Sequence, residues 1–493
     1  MTPWILRVRD ALLAAGYTYD GVADLLGTTA HAALARNETT PGLRRTSGGS
    51  PLETLVRIFL LQTIVTVDEV ERALPGLLDE LCRSGILERS VGEVVARVDL
   101  RPYGTDEGDL WVLGDLTPGM DGGLNRVGPD HVLGISPAAT SLAQLTVREP
   151  VGSALDLGTG CGVQSLHLAA HARHVVATDV NRRALWIAGL NAELNQVGLD
   201  LREGSFFEPV ARERFDLVVT NPPFVISPAT GERLVYRDSG LPGDRAVEHI
   251  VRALPDHLNP GGTGQVLANW SILRDVPWDE RLAGWVEGSG CDTWVVQREV
   301  LDPAEYVELW LKDAGLHGGP DYRQRYDTWL SWLDEQRIEG VGFGWINLRS
   351  REDGGSGTDD LRLEEWRWEV EQPLGPEVAA HFARAAALRE LTDDALTATR
   401  PRLREDVVQE TFGPAGVEDP TRIVLRQQRG MRRARQVDTV TAGLVGACDG
   451  DLTVGQILSA LEQILGADPG AEGRLRDVRD LLAEGFLSVE EAG

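Results

Sequence analysis

Two short stretches of the 493-residue chain combine residue types in ways that could do chemistry. One is Asn221-Pro222-Pro223-Phe224. The NH2 of an amide or an exocyclic amine is a poor nucleophile because its lone pair is delocalised. The Asn221 side-chain oxygen and the Pro222 carbonyl can each accept one of its hydrogens, which aims the nitrogen at an electrophile and stabilises charge as it develops. Phe224 can stack on the planar group. Pro222 and Pro223 have fixed φ and no N–H, so the carbonyls stay aimed and free of competition. In isolation these four residues are also a proline-stiffened turn, and their place in the fold has to decide between the two readings.

The other stretch is Ala154-Leu-Asp-Leu-Gly-Thr-Gly-Cys-Gly162. An apolar strand ends in a glycine-rich turn that opens a helix, so the backbone can approach a ligand closely and the helix N-terminus favours an anion. Nicotinamide enzymes use a similar loop, but Gly158, Gly160 and Gly162 are spaced GxGxG rather than GxGxxG. Asp156 also precedes the first glycine by two residues, where it would oppose a pyrophosphate and suit the amino group of a methionine moiety. Asp156, Gly158, Thr159, Gly160 and Gly162 are therefore read as cofactor-binding. Asp179 closes the next apolar strand, His174–Asp179, where an acid can accept hydrogen bonds from both ribose hydroxyls. The plainer reading of Asp179 is an N-cap for the helix that follows.

These residues need a scaffold, and the middle of the chain has the pattern of one. Strands are predicted at Ser153–Leu157, His174–Thr178, Phe215–Thr220, Gly264–Asn269, Thr293–Gln297 and Val341–Leu348, with helices at Val163–Ala172 and Arg182–Leu194. Strands alternating with helices give a mostly parallel sheet covered on both faces. Asn221 then falls at the carboxyl end of the fourth strand, where open α/β sheets place ligands. Leu361–Val370 reads as an extra strand paired back across the Gly/Ser/Asp-rich loop 350–360.

Three parts follow: 1–128, 129–372 and 373–493. The first looks helical, with a capping box at Thr66–Glu69, helices at Leu52–Gln62 and Pro75–Arg83, and a strand at Glu93–Leu100. The last looks helical at Glu377–Glu390 and Gly473–Phe486. Both are read as small winged-helix-like domains.

The core resembles class I methyltransferases that carry the (D/N)PP(Y/F/W) motif. It is most similar to the glutamine-N5 methyltransferases of release factors and the small-domain rRNA guanine-N2 methyltransferases. The resemblance covers roughly residues 130–270 and rests on DLGTGCG at 156–162, ATDVNRRAL at 177–185, GSFFEP at 204–209, FDLVVTNPPF at 215–224 and LNPGG at 258–262. It implies a Rossmann-like fold, S-adenosylmethionine as cofactor, Ser205 and Phe206 bordering its adenine, and Asn221, Pro222, Pro223 and Phe224 as the catalytic turn. Asn221 is counted among the cofactor-binding residues as well. Ser205 departs from the family's frequent acid. The Val132–Thr140 stretch keeps Pro137 and Thr140 of the glutamine enzymes' PRPET-like segment but lacks its arginine and glutamate.

Composition narrows the acceptor. Hydrophobic residues make up 42% and charged residues 25%, a globular balance, and the net charge of −28 disfavours nonspecific binding to phosphate backbones. Against that, Arg422–Arg435 holds six arginines and no acid. It reads as a solvated loop beside a helix or as a phosphate- or partner-binding patch that could contact nucleic acid. The leading acceptor is a protein glutamine amide. A base amine of RNA or DNA is the alternative, and a non-catalytic adaptor that binds S-adenosylmethionine is a third possibility of another class. The four cysteines are dispersed, which suggests reduced thiols. The apolar run Ile58–Val65 is too short to span a bilayer, so a cytoplasmic protein without membrane contact is expected. His167, His171 and His174 lack the further ligands of a metal site. Trp310, Trp329 and Trp332 read as helical core packing, and the turn Gly240–Gly243 as a connection that could line the acceptor cleft.

Overall fold

A computed structural model describes residues 3–105, 108–122, 128, 130–228, 241–352, 359–415, 420–465 and 471–489. The chain forms two compact units, Met1–Ala143 with Glu149–Trp366, and Gln144–Arg148 with Arg367–Gly493.

The first unit is built on an eight-stranded sheet: β1 (Val151–Leu157), β2 (Ala172–Asp179), β3 (Asp200–Glu203), β4 (Phe215–Thr220), β5 (Leu258–Leu273), β6 (Cys291–Leu301), β7 (Ile338–Ser350) and β8 (Leu361–Glu365). Their order is β8-β6-β7-β5-β4-β1-β2-β3. Neighbours from β5 through β3 are parallel, β7 runs antiparallel to both β5 and β6, and β8 pairs parallel with β6. Helices α1 (Val163–Leu168), α2 (Arg182–Leu194), α3 (Arg245–Ala253), α4 (Trp278–Val286), α5 (Pro303–Asp313) and α6 (Tyr322–Glu335) accompany it. The central strands are continuous apolar runs because helices cover both faces. Val176, Leu217, Val218 and Val266 are fully buried, and each such side chain stabilises the fold by about 1.5–3 kcal/mol.

Every strand expected in the core is present, most of them longer than expected, and two elements differ in how they end or pair. The helix expected to reach Ala172 stops at Leu168, since Ala172 already begins β2. The strand after the loop 350–360 ends at Glu365 and pairs with β6 instead of returning onto its predecessor β7. Alternation reports a strand's faces but not its partner.

The N-terminal part carries more β structure than its sequence suggests. Its helices (Pro3–Ala14, Tyr19–Leu34, Thr40–Arg45, Pro51–Leu55, Val67–Ala73 and Leu78–Arg83) accompany a small antiparallel sheet of Val65–Thr66, Glu93–Ala96 and Leu87–Ser90. The Leu52–Gln62 helix is α-helical only to Leu55 and continues as a π-turn over Val56–Leu60. The Thr66–Glu69 capping box forms as expected. Glu93–Leu100 is two strands, broken where Arg97 N–H donates to Ile86 O. Burial alternates from Val94 to Val98 across that break, so the pattern cannot reveal it.

A hairpin, Val98–Thr105 with Gly108–Asp115, then packs on α2. Asn191 and Asn195 serve as ladder partners for its edge. Leu113 N–H donates to Asn191 Oδ1 at 2.7 Å and Asn191 Nδ2 donates to Leu113 O at 2.9 Å. Asn195 makes the same pair with Trp111, at 2.9 and 2.7 Å. Two side-chain amides thus satisfy backbone groups that would otherwise be buried unpaired.

The second unit is also mixed. Helices Gly375–Glu390, Asp393–Ala398, Thr439–Gly446, Val454–Leu465 and Ala471–Ala483 accompany a sheet of Val407–Phe412, Arg422–Gln427 and Ala434–Val437. The arginine segment is therefore a hairpin, strands Arg422–Gln427 and Ala434–Val437 joined by the turn 428–433, rather than a loop beside a helix, and acids already hold much of it. Arg426 pairs with Glu410 at 2.9 Å, Arg435 with Asp480 and Glu484 at 3.0 Å each, and Arg432 with Glu369 at 3.6 Å. Arg422 lies over the Phe412 ring. The acids are distant in sequence, so a window on the chain shows only the arginines. No helix of the described residues is long and apolar enough to cross a membrane.

Candidate active site

The glycine turn separates into two roles. Gly158, Gly160 and Gly162 all have left-handed backbone, with φ of +74°, +55° and +85°. A Cβ at Gly158 or Gly160 would meet no atom within 4 Å, whereas one at Gly162 would lie 3.0 Å from the Ala188 Cβ. Gly158 and Gly160 face open space that a ligand can enter. Gly162 is where α1 passes close to α2.

Asp156 sits behind this turn, 1% exposed. Its Oδ2 accepts from Thr159 Oγ1 at 2.6 Å, Ser165 N–H at 3.0 Å and Ser165 Oγ at 2.7 Å. Burial outweighs these bonds and pushes its pKa up to about 6. Gly158 and Thr159 N–H both donate to Thr178 O, fastening the turn over the end of β2. Asp156 thus braces the loop internally, a role its place in the sequence motif does not suggest.

Asp179 ends β2 beside the turn. Its Oδ2 accepts Gly160 N–H at 2.9 Å and its Oδ1 accepts Asn181 N–H at 2.8 Å. Burial raises its pKa, and the backbone hydrogen bonds oppose that rise. The N-cap of α2 is Asn181, whose side chain accepts Arg183 N–H, so Asp179 is not the capping residue. Val180 is 60% exposed, an uncovered apolar side chain next to the acid that sequence reasoning passed over. Its signal, one apolar residue after a strand-end acid, is too common to stand out.

Gly204 N–H donates to the Asp179 carbonyl at 3.1 Å, which brings Ser205 and Phe206 to the same strand ends. Phe206 has φ of +46°, a strained conformation for an aromatic residue, with its ring edge-on to His249 at 5.0 Å. The Glu208 carboxylate accepts Ser205 N–H at 3.4 Å.

The Asn221–Phe224 turn leaves β4 alongside this loop. Thr220 Oγ1 donates to the Leu157 carbonyl at 2.7 Å and ties the ends of β4 and β1 together. Asn221 Oδ1 is buried and accepts no hydrogen bond among the described residues. Phe224 lies edge-on to Trp310 at 6.0 Å. Trp310 and Trp329 are buried in the cluster that also holds Val225 and Ile226, which agrees with their reading as packing residues. Gly243 N–H donates to Ser227 O at 3.2 Å, next to the residues that follow the turn. Gly240 lies outside the described residues.

Taken with the sheet order, this geometry brings the glycine turn, Asp179, Ser205–Phe206 and the Asn221–Phe224 turn together at the carboxyl ends of β1, β2 and β4. Residues 135–273 match the family model of the methyltransferase small domain. Residues 14–97 and 379–489 match two models described as domains of unknown function, DUF7059 and DUF7782. The release factor glutamine methyltransferase of Geobacter sulfurreducens is 37% identical over 164 residues, covering 30% of this chain and 55% of that protein. The ribosomal protein uL3 glutamine methyltransferase of Bradyrhizobium diazoefficiens is 34% identical over 146 residues, covering 27% and 44%. The chain spans about half the length of the curated relatives it matches. A 16S rRNA methyltransferase of T. thermophilus, solved with AdoMet and guanosine, is 17% identical, covers 45% of this chain and 58% of that one, and has a TM-score of 0.26. The methyltransferase small domain spans β1 through β5 and contains every sequence-predicted site residue. Within it His167 meets Tyr103 Oη at 3.3 Å and His174 lies 3.8 Å from Asp200, so these two histidines point to different neighbours.

Proposed function

We propose that this chain transfers a methyl group from S-adenosylmethionine to a planar nitrogen, the side-chain amide of a protein glutamine. The observation that carries this reading is the Asn221 side-chain oxygen, buried at the carboxyl end of β4 with no partner among the described residues. A buried acceptor left unpaired costs about 1–3 kcal/mol, and a donor arriving with the acceptor substrate offsets that cost. S-adenosylmethionine, when bound, supplies a methyl group on positively charged sulfur. The open space over Gly158 and Gly160 fits such a ligand, since no described residue fills it. Asp179 would hold the ribose hydroxyls, Val180 and Phe206 would flank the adenine with Ser205 at its rim, and Asp156 with Thr159 would keep the loop in shape near the methionine end. Asn221 Oδ1 and the Pro222 carbonyl would take the two hydrogens of the target NH2, and Phe224 would cover its plane.

The protein glutamine is favoured over a base amine by three things: the two glutamine methyltransferases named above, the net charge of −28, and the internal pairing of the arginine segment. The flanking parts, 1–128 and 373–493, are proposed to present the acceptor to the core at 129–372. The succession of helices Val67–Ala73 and Leu78–Arg83 and strands Leu87–Ser90 and Glu93–Ala96 supports a winged-helix-like form for the first. The test is incubation of the purified chain with methyl-labelled S-adenosylmethionine and a cell extract, followed by nuclease or protease. Protease-sensitive, nuclease-resistant label is expected. Nuclease-sensitive label would move the acceptor to a nucleic-acid base, and cofactor binding without any label would support the adaptor instead.

A further inference from the structure

Immediately after the Asn221–Phe224 turn the chain runs through Val225, Ile226 and Ser227, all buried. Both backbone groups of Ile226 are held by side chains. Ile226 N–H donates to Tyr306 Oη at 2.7 Å, and the Ile226 carbonyl accepts from Trp329 Nε1 at 3.0 Å. Tyr306 belongs to α5 and Trp329 to α6, the helices that connect β6 to β7. Tyr306 Oη also accepts from Asn269 Nδ2 at 3.2 Å.

Asn269 lies on β5, three residues beyond Val266, which pairs with Thr220 at the end of β4. It therefore stands past the point where β4 gives way to the turn. It is 0% exposed, and its Oδ1 has no hydrogen-bond partner among the described residues. An apolar residue at this place, facing the cluster of Val225, Ile226, Tyr306 and Trp329, would leave no unpaired oxygen. The amide is kept in spite of that cost, and the bond it makes fixes the hydroxyl that holds Ile226.

We propose that Asn269 is a positioning residue of the acceptor site, acting through Tyr306 to fix the backbone that carries Asn221, Pro222 and Phe224. This rests on the reading of that turn as the acceptor site. Asn269 touches no reacting atom. It holds Tyr306 Oη in place, Tyr306 holds Ile226 N–H, and the two prolines transmit that anchorage to the Asn221 side chain with little slack.

The test uses the full chain with S-adenosylmethionine alone as ligand. Hydrogen–deuterium exchange is followed over residues 221–227 in wild type, Asn269→Leu, Tyr306→Phe and the double variant. Tyr306→Phe keeps the ring and its packing, so it is expected to fold even if Asn269→Leu does not. It should raise exchange at the Ile226 amide about tenfold or more. Asn269→Leu should raise it by less, and the double variant should match Tyr306→Phe because both act through one bond. Cofactor affinity should stay within twofold and exchange elsewhere in the sheet should be unchanged, which a merely structural role would not predict. Wild-type exchange at Ile226 in Tyr306→Phe would overturn the proposal, as would effects of the two substitutions that multiply. In parallel, turnover is measured with a recombinant bacterial release factor. Its failure to be methylated by wild type would count against the glutamine reading alone, since the exchange result does not depend on the acceptor.

Discussion

Gly160 N–H donates to Asp179 Oδ2 at 2.9 Å, so the tip of the glycine turn and the end of the second strand share one carboxylate. Removing that carboxylate should act on the cofactor in two ways, by loss of the ribose contacts and by release of the turn. Asp179→Ala is expected to weaken S-adenosylmethionine binding by about 1.5–3 kcal/mol, the scale of a hydrogen bond to a charged group. Asp179→Asn, which keeps one acceptor oxygen, should lose less. Calorimetry on both variants checks this, and unchanged affinity in Asp179→Ala would remove Asp179 from the cofactor site.

The glycines of the turn should separate in their effects. Gly158→Ala adds a methyl into open space at a left-handed φ, so its backbone strain is about 1–2 kcal/mol. Cofactor affinity should fall while the fold persists. Gly162→Ala adds the same strain and a contact 3.0 Å from Ala188, so thermal stability should drop further. Its folded fraction should keep more of its affinity than Gly158→Ala does. The reverse ranking in calorimetry and thermal unfolding would contradict the assignment of open space to Gly158.

Asp156 makes stability depend on pH. Its folded pKa of about 6 lies above the ordinary 3.8, so the fold favours the protonated acid. Its contribution is fully present below about pH 4 and is lost as pH rises through 6, a change of about 3 kcal/mol. Asp156→Asn has no such loss, so the stability of the variant minus that of wild type should grow between pH 4.5 and 8 in denaturant unfolding. A constant difference across that range would show that the carboxyl does not titrate there. An ammonium bound near the ionised Asp156 would lower its pKa again. Cofactor affinity should then weaken below pH 6, approaching tenfold per pH unit.

Asn221→Ala removes an oxygen that has no partner among the described residues. No hydrogen bond is lost, so thermal stability should stay level or rise slightly. Turnover on the labelled acceptor should fall about 10²–10³-fold, as for loss of a preorganised transition-state contact. Asn221→Asp keeps an acceptor oxygen and should retain part of the activity. Full turnover in a folded Asn221→Ala protein would end the proposal that Asn221 holds the target nitrogen.

The arginine segment yields a prediction about salt. Arg435 is held by both Asp480 and Glu484, and Arg426 by Glu410. Neutralising both should lower the thermal stability of the second unit slightly, chiefly through the less exposed Arg435. It should leave any RNA binding and its salt slope unaltered. A flattened slope in filter-binding titrations would restore the phosphate-binding reading of Arg422–Arg435.

The sequence by itself determined the parallel core, the strand ends and the two turns they present. Apolar runs bounded by glycines and prolines fix where strands stop, and the residues at those stops are local in the chain. The position of Asn221, Gly158, Gly160 and Asp179 at those stops was legible for that reason. Only the tertiary structure separated Gly162 from the other glycines, because the deciding neighbour, Ala188, stands on a different helix. It showed that Asp156, read in the sequence as suited to an amino group, is buried and braces the loop, since burial depends on what covers a residue and not on its own motif. It paired the arginines with acids brought from Glu369, Glu410, Asp480 and Glu484. It also brought Asn269 and Ile226 onto one hydroxyl of Tyr306. These three residues come from different elements with no shared spacing, so packing alone makes them neighbours.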